Sequence, residues 1–413
     1  MLKRSLLVSL LITASGSAQS LDQIFKEGKA SGQLRAFWYD GDRELRTDRT
    51  ALTLGGILSY QTGSFEGLSG NVAFFSSNGI LPVTRMPYSG QTHNLNLDGT
   101  SINTLGEAYV QYSGYDTRIK YGRQRLDLPL ANDYYNRMLP NSFEAFSIEN
   151  RSLEHTTIKA AYITGWKYKA SDTFVSPTHS LGIDRDIAVL GALYSPQPSL
   201  KIELYDTYVR DVMNAPYLQI IDNEIWKLSE GTIFSGALQY LNEQSVGEEA
   251  AGEVHTYLLG LRGTVTQGAW SLSALYTRIG DQSLLGTGGR YENMGWGGFI
   301  TYTDLQIDGE SENAGAQAYG GILTYRPNPG FEISAKYMRI DQSDSVQSDP
   351  ASLTQNPRPD SDEYNIDATY QPRKEMRLRT RLARIDYDSD STSLYKTRAY
   401  DETNVRIIAD YLF

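Results

Sequence analysis

Lys374-Glu375-Met376-Arg377-Leu378-Arg379-Thr380-Arg381-Leu382-Ala383-Arg384 divides into two sets of side chains. One parity holds Met376, Leu378, Thr380 and Leu382; the other holds Arg377, Arg379 and Arg381. Successive side chains of a β-strand point to opposite faces, so a strand here has one apolar face and one face of three guanidiniums. The inner side of a soluble sheet excludes such a row, because it would bury unpaired charge. A transmembrane barrel inverts the arrangement, with apolar side chains on lipid and polar ones around an aqueous interior. The stretch therefore predicts an all-β, antiparallel transmembrane barrel.

The same period of two runs through the chain. Tyr364, Ile366, Ala368 and Tyr370 alternate with Glu363, Asn365, Asp367 and Thr369. Trp270, Leu272, Ala274 and Tyr276 share a face, as do Tyr319, Gly321, Leu323 and Tyr325. Near the start Leu34, Ala36 and Trp38 oppose Gln33, Arg35, Phe37 and Tyr39; at the end Val405, Ile407, Ala409, Tyr411 and Phe413 oppose Arg406, Ile408, Asp410 and Leu412. Segments of this kind are predicted near 32–39, 50–60, 67–76, 105–113, 116–123, 156–166, 186–194, 200–209, 217–227, 232–241, 254–265, 270–279, 297–303, 317–326, 331–340, 363–370, 375–387 and 404–413. They number about eighteen, with sixteen as the alternative; bacterial barrels take an even number. Short Pro-bearing connections, such as Ser195-Pro196-Gln197-Pro198, Arg326-Pro327-Asn328-Pro329-Gly330 and Gln371-Pro372-Arg373, alternate with long polar ones at 77–103, 124–155, 167–185, 280–296, 304–316 and 341–362. That is the pattern of short periplasmic turns and long outer loops.

Composition agrees. Lys3 and Arg4, the apolar run Leu6 to Ile12 and the small residues Gly16-Ser17-Ala18 have the form of an export signal over residues 1–18, leaving residues 19–413 as one barrel domain. Removing the signal takes the net charge from -11 to -13, since two basic residues leave. No later stretch is long and apolar enough for a membrane helix. The mean hydropathy of -0.41 matches a barrel, because half of each strand faces water. The chain has 29 Tyr, rings suited to a membrane boundary, and no Cys. Its acidic balance argues against nucleic acid as a partner.

Closing a barrel pairs the first strand with the last. Arg35 and Arg49 from the start then join Arg377, Arg379, Arg381 and Arg406 from the end on one inward wall. A one-signed row repels itself, and that cost suggests a use: successive forked donors for a carboxylate or phosphate. The alternative is that these arginines pair with loop carboxylates and stiffen the barrel. Acidic residues collect at 341–363, including Asp341, Asp344, Asp349, Asp360, Asp362 and Glu363, in a loop that either binds a divalent cation such as calcium or is simply solvated.

Five further segments carry a family resemblance: Gly106-Glu107-Ala108-Tyr109, Tyr121-Gly122-Arg123-Gln124, Leu128-Pro129-Leu130, Asn136-Arg137-Met138-Leu139-Pro140 and Phe143-Glu144-Ala145-Phe146. Over residues 104–165 the chain resembles the OprD family of outer-membrane porins, and Phe413, with Tyr411 two before it, looks like the assembly signal of such barrels. The resemblance implies eighteen strands, uptake of small carboxylate-bearing solutes, and a third loop, about 124–155, folded into the lumen opposite a basic ladder. It places Arg137 in that loop and Arg377 and Arg379 in the ladder, with Arg381 and Arg406 matching less closely. Arg125, Asp127, Asp133, Tyr134, Tyr135 and Glu144 would then supply the polar side of the constriction. Acids there would set up a transverse field across the pore; alternatively, Asp127 and Glu144 pair with wall arginines and only hold the loop.

Catalytic and metal signatures are not evident. His93, His155, His179 and His255 stand at no metal-ligand spacing, and no Gly-x-Ser-x-Gly elbow occurs. Gly286-Thr287-Gly288-Gly289 lacks the Lys of a phosphate cradle. The expectation is a passive outer-membrane channel without a cofactor, monomeric or homotrimeric, with outer-membrane lipids as neighbours. A general trimeric porin that binds a divalent cation is the second reading, and a barrel hydrolase the third.

Overall fold

The computed structural model describes residues 21–44, 47–80, 88–281, 296–298, 301–307, 311, 313–342, 359–388 and 401–413. The expected export signal, Gly286 to Gly289 and most of the acidic segment at 341–363 lie outside them. A short helix α1 (Leu21–Lys26) precedes β1 (Lys29–Arg43), β2 (Arg49–Gln61), β3 (Leu68–Gly79), β4 (Ile102–Gly114), β5 (Thr117–Gln124), β6 (Ser142–Asn150), β7 (Thr156–Lys167), β8 (Ile187–Gln197) and β9 (Leu200–Val209). There follow β10 (Met213–Ser229), β11 (Thr232–Ser245), β12 (His255–Gln267), β13 (Trp270–Ile279), β14 (Gln317–Asn328), β15 (Phe331–Asp341), β16 (Ser361–Arg373), β17 (Met376–Tyr387) and β18 (Glu402–Leu412). Each pairs antiparallel with its sequence neighbours, and β1 also pairs with β18, from Gln33 opposite Leu412 to Arg43 opposite Glu402. The sheet is thus a closed ring of eighteen strands.

The alternating pattern is realised as expected. Leu34, Tyr364, Ile366, Tyr370, Leu378 and Leu382 are exposed on the outside, while Arg35, Asn365, Asp367 and Arg381 are buried within. Outward aromatic residues lie six apart on four consecutive strands: Trp270 and Tyr276, Tyr319 and Tyr325, Phe331 and Tyr337, Tyr364 and Tyr370. Six residues span about 20 Å of strand, so these rings form two belts around the apolar band, as at the two edges of a bilayer.

Two sequence expectations are corrected, and their errors cancel in the count. Residues 297–303 form no strand where described; Trp296 instead makes an isolated bridge to Ala131. Residues 142–150, assigned to the third loop, form β6. That loop is therefore 125–141 rather than 124–155, and residues 151–155 are a short turn at the opposite end of the barrel.

Candidate functional site

Closure sets β16, β17, β18, β1 and β2 side by side, and their inward positions form a grid. Nearest the short-turn end, Arg35 stands opposite Asp410, which stands opposite Arg377. One level on, Phe37, Ile408 and Arg379 are in register. Next come Tyr39, Arg406, Arg381 and Asp367. Above them Arg49 faces Gly41, and Arg43 faces Glu402. Each level is about 7 Å of strand, so guanidiniums succeed one another over about 20 Å from Arg377 to Arg49.

This wall is not one-signed. Asp410 accepts hydrogen bonds from Arg35 Nε at 2.6 Å and Arg377 Nη2 at 2.6 Å. Asp367 accepts from Arg379 Nε at 2.8 Å and Arg381 Nε at 2.9 Å. Glu402 accepts from Arg49 Nη2 at 2.7 and 2.8 Å. Asp367 and Asp410 share the inward parity of predicted strands, and Glu402 lies two residues before one; reading the cations alone hid them. Charge-assisted bonds of this length relieve the like-charge repulsion that an unpaired row would carry.

The arginines also differ in access. Arg377 and Arg379 keep 43% and 36% of their side chains exposed, whereas Arg35, Arg49 and Arg381 keep 10% or less. Arg406 and Arg137 are buried too, and their guanidiniums stand 5.2 and 5.8 Å from the ring centre of Tyr39. Three inward segments cover this upper half.

The first is the third loop, 125–141, which is fastened at both ends by apolar packing. Leu126, Leu128 and Leu130 join Ile163, Ile187 and Val189 of one wall. Met138 and Leu139 join Phe37, Phe75 and Ile102 of the other. The glycine of Gly106-Glu107-Ala108-Tyr109 makes room for this: a Cβ on Gly106 would fall 2.2 Å from the Phe75 ring. Between the anchors, Tyr135 lies under the Arg35 guanidinium, 4.2 Å from its carbon, and donates to Gln33 at 2.9 Å.

The second segment, described at 296–298 and 301–307, was not legible as an inward element. Trp296 N donates to Leu130 O at 2.6 Å, tying it to the third loop. Glu363 Oε1 accepts from the amides of Gln306 and Ile307, both at 2.9 Å, and Arg406 Nη2 donates to Gln306 O at 2.6 Å. Tyr134 OH donates to Asp304 at 3.1 Å across the two segments. Burial pushes the Asp304 carboxyl up from its ordinary range, and does the same to Asp133, against the pull of Arg125. The third segment, 88–101, brings Gln91 onto Arg43 at 3.0 Å and sets the half-buried His93 beside Tyr168, 3.0 Å away.

The remaining expected residues divide. Arg125 pairs with Glu107 at 2.5 Å and lies 3.7 Å from Asp133. Asp127 meets Lys159 at 3.4 Å, not a wall arginine. Both border a lumenal cavity system beneath the loop; its larger part, about 480 Å³, is lined by Asp133, Tyr134, Lys201, Tyr205, Tyr217 and Gln219. Glu144 is a correction: it belongs to β6, shares the parity of the exposed Phe146, and pairs with Arg123 at 3.0 Å on the outside. Of the acids at 341–363, Asp341, Asp360 and Asp362 surround Arg339 at 2.9 to 3.1 Å, and Glu363 points inward. Among the described residues no cluster of His, Asp and Glu is arranged to hold a metal ion.

His93 supplies a pH test. Burial first, then Arg137, Lys169, Arg49 and Arg406, hold its pKa well below the ordinary value. The folded state thus binds fewer protons than the unfolded chain between the two pKa values, and stability rises with pH through about 6.5, the unfolded value. Acidification from pH 7.5 to 5 is expected to lower the unfolding temperature of the wild type more than that of His93→Gln. Equal acid sensitivity in a thermal melt at both pH values would refute this.

With this geometry in place, the chain can be set beside known proteins. The family model for outer membrane porins of the OprD family matches residues 25–413. No curated protein matches. Among solved structures, OccK9 (OpdG) of Pseudomonas aeruginosa is similar with a TM-score of 0.77 and 18% identity, covering 94% of this chain and 99% of that one. OccK8 (OprE) of the same organism gives 0.74 and 18%, and OpdK with vanillate 0.74 and 15%, each covering 94% of this chain and 99% of the other. At these identities the likeness is one of fold.

Proposed function

The chain belongs to the OprD family of outer membrane porins, an integral β-barrel of that membrane, and we propose on this basis that it is a passive channel for small solutes bearing a carboxylate. The observation that carries the reading is the state of Arg377 and Arg379. Each spends Nε and Nη2 on an acid of the wall, Asp410 or Asp367, and each remains partly exposed. Nη1 of each has no protein partner among the described residues, so a solute carboxylate has a charged donor to bind at two successive levels. The wall acids hold the guanidiniums in fixed orientation and dilute their charge. Binding is then favourable enough to draw an anion in and weak enough to release it to the next donor, which conduction requires. The similar OpdK structure contains vanillate, an aromatic carboxylate, in that relative.

The double variant Arg377→Gln/Arg379→Gln is expected to assemble normally and to lose about tenfold in carboxylate flux, with a lowered anion preference in planar bilayers. Unchanged carboxylate flux and reversal potential would reject the reading.

A further inference from the structure

At the short-turn end, several strands run past the partner on their leading side. On three of them the overhang follows one pattern. Ser195 N donates to His155 O, Arg326 N to Ala269 O, and Gln371 N to Gly330 O. In each case a proline comes next, Pro196, Pro327 or Pro372, and the strand ends one residue later. Proline has no N–H and cannot extend a ladder, so each free edge is blunted as it begins.

β10 departs from this pattern. Asn223 N donates to Ser199 O in the equivalent way, but Glu224 follows instead of proline, and the strand runs on to Ser229. Its pairing with β9 stops at Asp222 opposite Leu200, while the other edge stays on β11 through Trp226, Lys227 and Ser229 after a bulge. Residues 224–229 therefore present about 20 Å of strand edge with no strand beside it among the described residues. All six are exposed, and Trp226 and Leu228 keep 61% and 58% of their surface, with Trp226 stacked on Phe234 at 5.3 Å.

We propose that this edge docks an extended segment of a periplasmic protein by strand addition. Such a segment would continue the ladder that β9 occupies on the same edge, its backbone pairing with residues 224–229 and its outward side chains, apolar or aromatic, packing beside Trp226 and Leu228. A second copy of the barrel does not fit. Two barrels upright in one membrane meet with strands tilted about 40° each way, so their edges cross at about 80° rather than run antiparallel.

The test uses the full protein in nanodiscs and a synthetic peptide with the sequence of residues 232–240, the partner of the other edge of β10. Saturable binding with slowed amide exchange confined to 224–229 is expected. Glu224→Pro/Leu228→Pro, which copies the blunting of the other hairpins, should weaken binding about tenfold or more, and Trp226→Ala/Leu228→Ala should weaken it while leaving the backbone intact. Heat-modifiable gel mobility reports that each variant has assembled. No saturable binding, or equal binding by the proline variant, overturns the proposal. So does a photocrosslinker at position 228 that joins two copies of the barrel in membranes.

Discussion

Asp410→Ala is expected to lower the stability of the barrel by about 3 kcal/mol and to raise its anion preference. Asp410 is buried between two cations, with Arg35 3% exposed and Arg377 43% exposed. Removing it leaves the Arg35 guanidinium in a desolvated place without its carboxylate, while Arg377 turns to water. The loss therefore falls at the lower end of the range for broken buried pairs. Freed from Asp410, Arg377 offers Nε and both terminal nitrogens to solute, so anions bind more tightly and leave more slowly. The measurements are the temperature at which the compact gel form is lost and the reversal potential in a salt gradient. A variant as heat-stable as the wild type would show that the pair at 2.6 Å contributes nothing to stability. An unchanged reversal potential would show that Arg377 is not sampled by passing ions.

Glu363→Ala is expected to widen the pore. Glu363 is 2% exposed and holds the Gln306 and Ile307 amides against the wall. Hydrogen bonds of this kind contribute about 0.5 to 1.5 kcal/mol each, and losing two frees segment 301–307 from the face of Arg406. Single-channel conductance should rise on the order of twofold, with a noisier open level as the segment fluctuates. Glu363→Gln keeps an acceptor oxygen and should lie between wild type and Ala. Identical conductance in all three would mean that the segment does not narrow the conduction path.

The outward face was legible because lipid imposes one rule on every strand, and the run from Tyr364 to Tyr370 obeys it without exception. The inward face answers to local neighbours instead. β6 was hidden because Phe143 and Ala145 point inward yet are apolar, packing on the third loop, so both parities look greasy. Residues 297–303 read as a strand because Phe299, Ile300, Thr301 and Tyr302 suit one, whereas the flanking Trp296 and Gly298 bond to the third loop inside the lumen. The arginines of the wall were found from parity and closure. Their pairing with Asp410, Asp367 and Glu402 required register, which alternation leaves free by any even shift. Their unequal exposure depends on the course of three loops, and a loop has no period to read.

The cations and acids of the wall are contributed by opposite ends of the polypeptide: Arg35 and Arg49 by the first two strands, Arg377 to Arg381 and Arg406 to Asp410 by the last two. None of the ion pairs Arg35–Asp410, Arg49–Glu402 or Arg377–Asp410 exists until β18 has been laid down, and the first two must also await its zipping onto β1. A nascent or nicked sheet, open along that seam, would therefore keep Arg377 and Arg379 on their acids but lose the Arg35 and Arg49 pairs together with its closed rim. Leakiness and loss of the Arg35 and Arg49 pairs should arise as one event in assembly, not as two.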